Sequence, residues 1–293
     1  MSTKFKISLI KTLKGHKQSI YSICEDGQKG FFSAGSDGFL VHWKNITSSD
    51  GELFAQIGEA VYSIFWDKEN EQLIAGTQSG HLYILKKGNE PRRKFAHSKG
   101  VFAIKKHGNI FVTGGGDGRL IFWDLKFHIK KEFNVFKKSI RDVAIINSNY
   151  YVIGSTGECA LIQSGNDVNI MKMGENSIFA IQINNGTIIT AGREAKIRLH
   201  TMDFEILESI NAHWYTIHTL AMNLKSELLA SAGMDKRIRF WELNSMTPLY
   251  SIDPTKDEIA HKSSVNKLIW LNADTLVSCS DDAQIKCWKV SII

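Results

Sequence analysis

Four stretches of this 293-residue chain place hydroxyls, a carboxylate and an indole at fixed spacing. They are "SAGSDGFLVHW" (33–43), "VTGGGDGRLIFW" (112–123), "ASAGMDKRIRFW" (230–241) and "VSCSDDAQIKCW" (277–288). In each, a run of small residues leads to an aspartate (Asp37, Asp117, Asp235, Asp282), and a tryptophan follows six residues later. A carboxylate near a serine or threonine could serve acid–base or nucleophilic chemistry. One active site needs one such set, however, and four copies point to a repeated structural part.

The elements that carry these stretches repeat along the whole chain. A period between about 20 and 50 residues dictates architecture before any local reading. Aligned on the four stretches, the sequence divides into seven units ending at Trp43, Leu85, Trp123, Ile162, His200, Trp241 and Trp288, spaced by 42, 38, 39, 38, 41 and 47 residues. Units two, four and five ("IAGTQSGHLYIL", "VIGSTGECALI", "TAGREAKIRLH") keep the small-residue turn and the alternation but lose the aspartate and tryptophan. Within a unit, short runs rich in β-branched and aromatic residues read as strands: "SIYSIC" (19–24), "GFFSAG", then "GFLVHW" after a glycine-bearing turn. A fourth run follows in several units, such as "ELFAQI" (52–57) and "PLYSI" (248–252). A four-stranded antiparallel sheet cannot cover both its faces alone, whereas seven packed radially can. The last unit stops after its third strand, and "KFKISLIKTL" (4–13) is a strand standing before the first complete unit, placed to complete it.

On these features the chain resembles the WD-repeat (WD40) β-propeller family. "KGH" carries the family's Gly-His pair at Gly15–His16, and His97, His213 and His261 supply the histidine in units three, six and seven, 20 to 22 residues before the aspartate. Only unit three has a literal Trp-Asp, Trp123–Asp124. The resemblance implies an all-β, seven-bladed propeller of four-stranded antiparallel blades, closed by the N-terminal strand, over a single domain 1–293. It also implies four structural networks: His16, Ser33, Asp37, Trp43; His97, Thr113, Asp117, Trp123; His213, Ser231, Asp235, Trp241; and His261, Ser278, Asp282, Trp288. The chemistry explains the types: a buried indole N–H needs an acceptor, a hydroxyl accepts and donates at once, and the aspartate accepts from the histidine while tightening the turn. Such a network stabilises only when complete. Serine, histidine and aspartate are also the parts of a triad, but a hydroxyl held by a tryptophan in four copies is structural, and no catalytic residue is expected. Units two, four and five place Ile57, Phe136 and Gly174 at the histidine position and Ser79, Thr156 and Glu194 at the aspartate position. Those blades are expected to rely on apolar packing.

Function is then expected on the faces, since fold alone does not name it. The family's usual contact positions map onto three series: Ser19, Ala60, Gly100, Ser139, Ser177, Thr216 and Ser264; then Tyr21, Tyr62, Phe102, Arg141, Phe179, His218 and Asn266; then Ser36, Gln78, Gly116, Ser155, Arg193, Met234 and Asp281. The second series would put aromatics, an arginine and a histidine at a channel mouth, and such side chains dominate binding hot spots. With Arg193 and Asp281 added, these form the expected partner-binding set. Arg141 and Arg193 suit an acidic or phosphorylated peptide. An enzyme reading would rest on His218, Asn266 and Asp281, a trio too thin for an acid–base or metal site.

Charge is uneven. Residues 86–141 hold 15 Lys/Arg against 4 Asp/Glu, whereas the whole chain is only +6. This basic sector is the alternative site, for nucleic acid or another anionic surface. The segment "IDPTKDEIAHKSS" before blade seven is acidic through Asp253, Asp257 and Glu258, and it is expected to overhang the contact face. "NITSSDGE" (45–52) reads as a loop on the opposite face. The 43% hydrophobic and 23% charged composition is that of a soluble globular protein, and no run nears the roughly 18 apolar residues of a membrane helix. Four cysteines without metal-ligand spacing read as reduced, half-buried strand residues. The expectation is a cytoplasmic protein–protein interaction scaffold, monomeric on its own, with no metal or cofactor.

Overall fold

The computed structural model describes residues 5–47, 50–146, 148–163 and 167–292. Ser48 and Ser49 of the expected 45–52 loop, and the outermost residues Lys4 and Ile293 of the terminal strands, lie outside them. The described strands form seven four-stranded antiparallel sheets, each running in chain order except the last. They pack as two compact units, one built from the described residues up to Asn70 and from His218 onward, the other from Glu71–Ile217.

The first unit holds blades one, six and seven. Blade one runs Ile20–Glu25, Phe31–Gly35, Phe39–Trp43 and Glu52–Gln56; blade six follows the same plan up to Pro248–Ile252. Blade seven has three strands in sequence, Val265–Asn272, Thr275–Ser280 and Gln284–Ile292, and takes Phe5–Lys14 as its fourth. That strand runs antiparallel from Phe5↔Ile292 to Lys14↔Gln284, with one irregularity between Leu9 and Lys11. The first and last segments of the chain therefore share one sheet, as the repeat count requires.

The second unit holds blades three, four and five, spanning Val101–His107 to Ile129–Asn134, Ile140–Ile146 to Val168–Lys172, and Ile178–Asn184 to Ile206–Asn211. It also holds the three outer strands of blade two, whose first strand, Val61–Asp67, belongs to the other unit.

Burial explains the sequence pattern. Second strands such as Phe31–Gly35, Leu228–Gly233 and Thr275–Ser280 are buried throughout, because both their faces are covered, and so they read as continuous apolar and small runs. Fourth strands are far more exposed, Val168–Lys172 along its whole length. Apolar side chains of adjacent blades make the core. In the first unit Phe31, Val41 and Trp43 pack with Val277, Cys279 and Ile285, and Phe240 with Leu268, Trp288 and Val290. In the second, Val112 and Leu120 meet Ile140, Val143 and Val152, and Ile153 meets Ile178 and Ile188. The turn into the third strand demands a left-handed residue, supplied by Gly38, Gly80, Gly118 and Gly157 in blades one to four. Blades five to seven hold Ala195, Lys236 and Ala283 there instead, at φ of 59° to 67°.

The cysteines correct one expectation. Cys24 is half-buried, but Cys159, Cys279 and Cys287 are fully buried, and all four are free thiols. Burial pushes each thiol up, Cys287 to about 12. Among the described residues no helix is long and apolar enough to cross a membrane.

Candidate functional site

Three of the four networks are laid out atom by atom. In blade one, Trp43 Nε1–H donates to Ser33 Oγ at 2.8 Å, and the same oxygen lies 2.8 Å from His16 Nε2. His16 Nδ1 is 3.1 Å from the Asp37 carboxylate, which also accepts the backbone N–H groups of Lys17 and Phe39. Blade three repeats this with Trp123, Thr113, His97 and Asp117 at 2.9–3.0 Å, and blade seven with Trp288, Ser278, His261 and Asp282 at 2.8–2.9 Å. In blade six, Trp241 donates to Ser231 at 2.9 Å, Asp235 accepts the N–H of Arg237, and His213 is buried. In blades one, three and seven the hydroxyl accepts from an indole and is bonded to an imidazole, so it is held in place as a structural link.

The electrostatics agree with a structural role. Burial raises the Asp117 carboxyl, but the hydrogen bond and charge of His97 and two backbone N–H groups outweigh it and bring it down to about 2. Asp37 and Asp282 are lowered by the same balance. Burial holds His261 below the ordinary imidazole value, although Asp282 pulls the other way.

Blade five departs from the apolar packing expected of it. His200 stands at the tryptophan position, fully buried, with Nε2 3.3 Å from Thr190 Oγ1, and burial drives it down to about 4. Glu194, at the aspartate position, accepts the N–H groups of Glu175 (2.8 Å) and Asn176 (3.1 Å) and pairs with Arg198. The Arg198 guanidinium occupies the space beside Gly174 that the missing histidine leaves: a Cβ on that glycine would lie 3.1 Å from Arg198 Nη1. Blade four keeps to apolar packing through buried Phe136 and Ile162. In blade two Ile57 and Leu85 are buried, while Ser79 turns to His81 Nδ1 at 2.8 Å.

The expected contact series has a shared backbone cause that the sequence does not display. Tyr21, Phe102, Arg141, Phe179 and Asn266 each sit where the pairing of the first strand slips by one residue. A bulge leaves its extra residue out of the ladder and re-aims its side chain. Within the first unit, the Tyr21 and Tyr62 rings meet edge to face at 5.6 Å. Asn266 Nδ2 donates to Asp281 Oδ1 at 2.7 Å and to the Ile20 carbonyl at 2.9 Å, and His218 Nδ1 lies 3.2 Å from Ser264 Oγ. Asp281 is therefore engaged by an amide and His218 by a hydroxyl. Among the described residues no group of three His, Cys, Asp or Glu could hold a metal ion.

Within the second unit, the Arg141 guanidinium lies between two rings, 4.5 Å from the centre of Phe102 and 5.1 Å from that of Phe179. Each such contact contributes about 0.5–2 kcal/mol. Arg193 is exposed, its backbone N–H bonded to the Ser177 carbonyl. Beside Phe102 opens a pocket of about 220 Å3, lined by Lys99, Gly100, Phe102, Gly116, Lys137, Lys138, Ser139 and Ser155. These lysines escaped the contact series because they occupy the loops just after the histidine position, Lys99 two residues beyond His97 and Lys137 and Lys138 directly beyond Phe136. The signal for them was glycine at both flanking contact positions of blade three, Gly100 and Gly116.

Elsewhere some charges are paired. In the basic sector Lys105 meets Asp142 at 3.4 Å, and Arg119 pairs with Glu132. The acidic segment before blade seven is tied down: Asp253 pairs with buried Arg237 at 2.7 Å, and Asp257 accepts the N–H of Asp253.

Comparison with known proteins agrees with this geometry. The profile of the WD domain, G-beta repeat, matches residues 7–44, 89–124, 204–242 and 253–289. A crystal structure of the WD40 beta propeller domain of Doa1 superposes with a TM-score of 0.87 over 97% of both chains at 16% identity, which shows the β-propeller fold. Actin-interacting protein 1 of Caenorhabditis elegans is 21% identical over 94% of this chain and 47% of its own length. The pre-rRNA-processing protein IPI3 of Kluyveromyces lactis is 33% identical over 39% of this chain and 24% of its own length. The chain thus spans about half or less of the length of these curated relatives. Seven antiparallel blades, the repeated indole–hydroxyl–imidazole–carboxylate bracing and a profile match over just over half the residues lead to one assignment: the chain belongs to the WD domain, G-beta repeat family.

Proposed function

We propose that this propeller is a non-catalytic interaction platform whose second unit captures an acidic segment of a partner protein. The observation that carries this reading is the Arg141 guanidinium held between Phe102 and Phe179, all three on bulged positions. An arginine fixed between rings is pre-organised and loses little freedom when a carboxylate meets its guanidinium. The lysine-lined pocket beside Phe102 adds positive charge to the same surface. One relative is named for interacting with actin and another for processing pre-rRNA, so on this fold the surface decides the partner. The platform works as a monomer in the cytoplasm, where its four thiols stay reduced.

The test is capture of a partner from the native cell by wild type and by Phe102→Ala with Arg141→Ala. Loss of the partner at an unchanged melting temperature supports the reading. Unfolding of the variant would make these side chains core and overturn it. Retention on nonspecific nucleic acid with steep salt dependence would instead support the basic sector as an RNA- or DNA-binding surface.

A further inference from the structure

The pocket beside Phe102 has features that a general attraction for acidic chains does not require. It lies between the loops of blades three and four, and its charged lining is three lysines with no carboxylate. Among the described residues, none of Lys99, Lys137 and Lys138 forms an ion pair, whereas Lys105 and Arg119 of the same sector do. Two serines, Ser139 and Ser155, complete the polar lining.

Two of the lining positions lack a side chain. At the first contact position the other blades carry Ser19, Ala60, Ser139, Ser177, Thr216 and Ser264; blade three has Gly100. At the third they carry Ser36, Gln78, Ser155, Arg193, Met234 and Asp281; blade three has Gly116. A Cβ on Gly116 would lie 2.9 Å from Lys99 Cβ and 3.2 Å from Phe102 Cε2, inside van der Waals contact. Gly116 is not in the left-handed region, so its turn does not need glycine; the pocket does.

At about 220 Å3 the pocket is below the roughly 300 Å3 at which cavities enclose whole small molecules, and it suits a single side-chain head group. A carboxylate has one charge and would leave two ammonium groups uncompensated. A phosphoryl group carries about −1.5 to −2, so it compensates up to two of the three charges, and its three acceptor oxygens can each meet one ammonium group.

We infer that this pocket receives the phosphoryl group of a phosphorylated serine or threonine on the partner protein. The inference rests on the acidic-segment reading above and narrows it. Arg141, stacked on the outer wall Phe102, then meets a carboxylate or carbonyl of the flanking residues. A peptide is favoured over a lipid head group because none of the exposed large apolar residues lines the pocket, so nothing there would insert into a bilayer.

The test passes the full chain over an immobilised degenerate peptide library carrying one phosphoserine, over the same library unphosphorylated, and over vesicles of phosphatidylcholine with a phosphoinositide. Wild type is expected to be retained on the phosphorylated library about tenfold more than on the unphosphorylated one, and to be released by inorganic phosphate better than by chloride at equal ionic strength. Lys99→Gln with Lys137→Gln and Lys138→Gln, all on exposed positions, removes that difference; Gly116→Ala, which fills the pocket without changing charge, reduces it. Equal retention on both libraries overturns the phosphoryl pocket while leaving the acidic platform standing. Retention on neither library, with partner capture still dependent on Arg141, overturns the pocket alone; loss of that dependence overturns both. Retention on the vesicles and not on the peptides overturns it in favour of a membrane surface.

Discussion

The two units brace and expose themselves differently. In the first, blades one, six and seven each hold a tryptophan N–H on a serine, and the contact-series residues meet partners within the unit: Tyr21 on Tyr62, Asn266 on Asp281, His218 on Ser264. In the second, only blade three has the full network, blade five has substituted Glu194 and Arg198, and the bulged positions present a guanidinium beside unpaired lysines. The difference teaches how a repeat divides labour. Polar groups that answer each other inside the protein stabilise it, whereas lysines without an ion pair among the described residues, such as Lys99, Lys137 and Lys138, are available to a ligand.

The largest effect should separate the bracing. Trp288→Ala in the first unit removes a fully buried indole and its hydrogen bond and should cost about 3–5 kcal/mol in urea denaturation. His200→Ala in the second, which loses a 3.3 Å hydroxyl contact, should cost no more than about 2 kcal/mol. Equal losses would erase the distinction. Next comes binding: Arg141→Ala should weaken partner affinity by about 2 kcal/mol or more, roughly 30-fold, while Tyr21→Ala changes it less than about threefold. If Tyr21 matters as much, the surface is shared by both units.

A third expectation concerns pH. His200 is held at about 4 in the folded chain by burial, against about 6.5 when unfolded, so the unfolded state takes up a proton first as pH falls. Its contribution is complete above 6.5 and declines between 6.5 and 4, with a slope of at most about 1.4 kcal/mol per pH unit. His200→Gln should flatten stability across that window, and an unchanged slope would show that His200 is not its source. Asp117 acts further down: its depressed carboxyl stabilises above pH 4 and loses that effect as pH falls toward 2. The smallest effect belongs to the pocket. Lys138→Gln, exposed and without an ion-pair partner among the described residues, should leave stability within about 0.5 kcal/mol, and a larger loss would make it a brace rather than a ligand contact.

Much of the fold was legible because its determinants recur. Asp37 and Trp43 set a spacing that Asp117 and Trp123 repeat, and the strand before Gly15 had only one unfinished sheet to join. Blade five was misread because Glu194 reaches farther than aspartate and Arg198 enters from the following strand, so the substitution is spatial rather than positional. The contact series was readable as residues but not as geometry. That Phe102, Arg141 and Phe179 sit on bulges depends on a one-residue slip that the alternation of Val101 to Ala103 does not reveal. The lysines of the pocket were visible only as net charge, because which lysines of the basic sector pair is settled by neighbours distant in sequence, such as Asp142 for Lys105.

The buried thiols give the protein a built-in clock. Cys159 is alone in the second unit, in blade four, while Cys24, Cys279 and Cys287 all belong to the first. A thiol reagent added under native conditions modifies each cysteine at the rate its surroundings open, and mass spectrometry of the peptides reads the four rates separately. Early labelling at Cys159, with Cys279 and Cys287 still silent, would time the breathing of one unit against the other without any engineered probe.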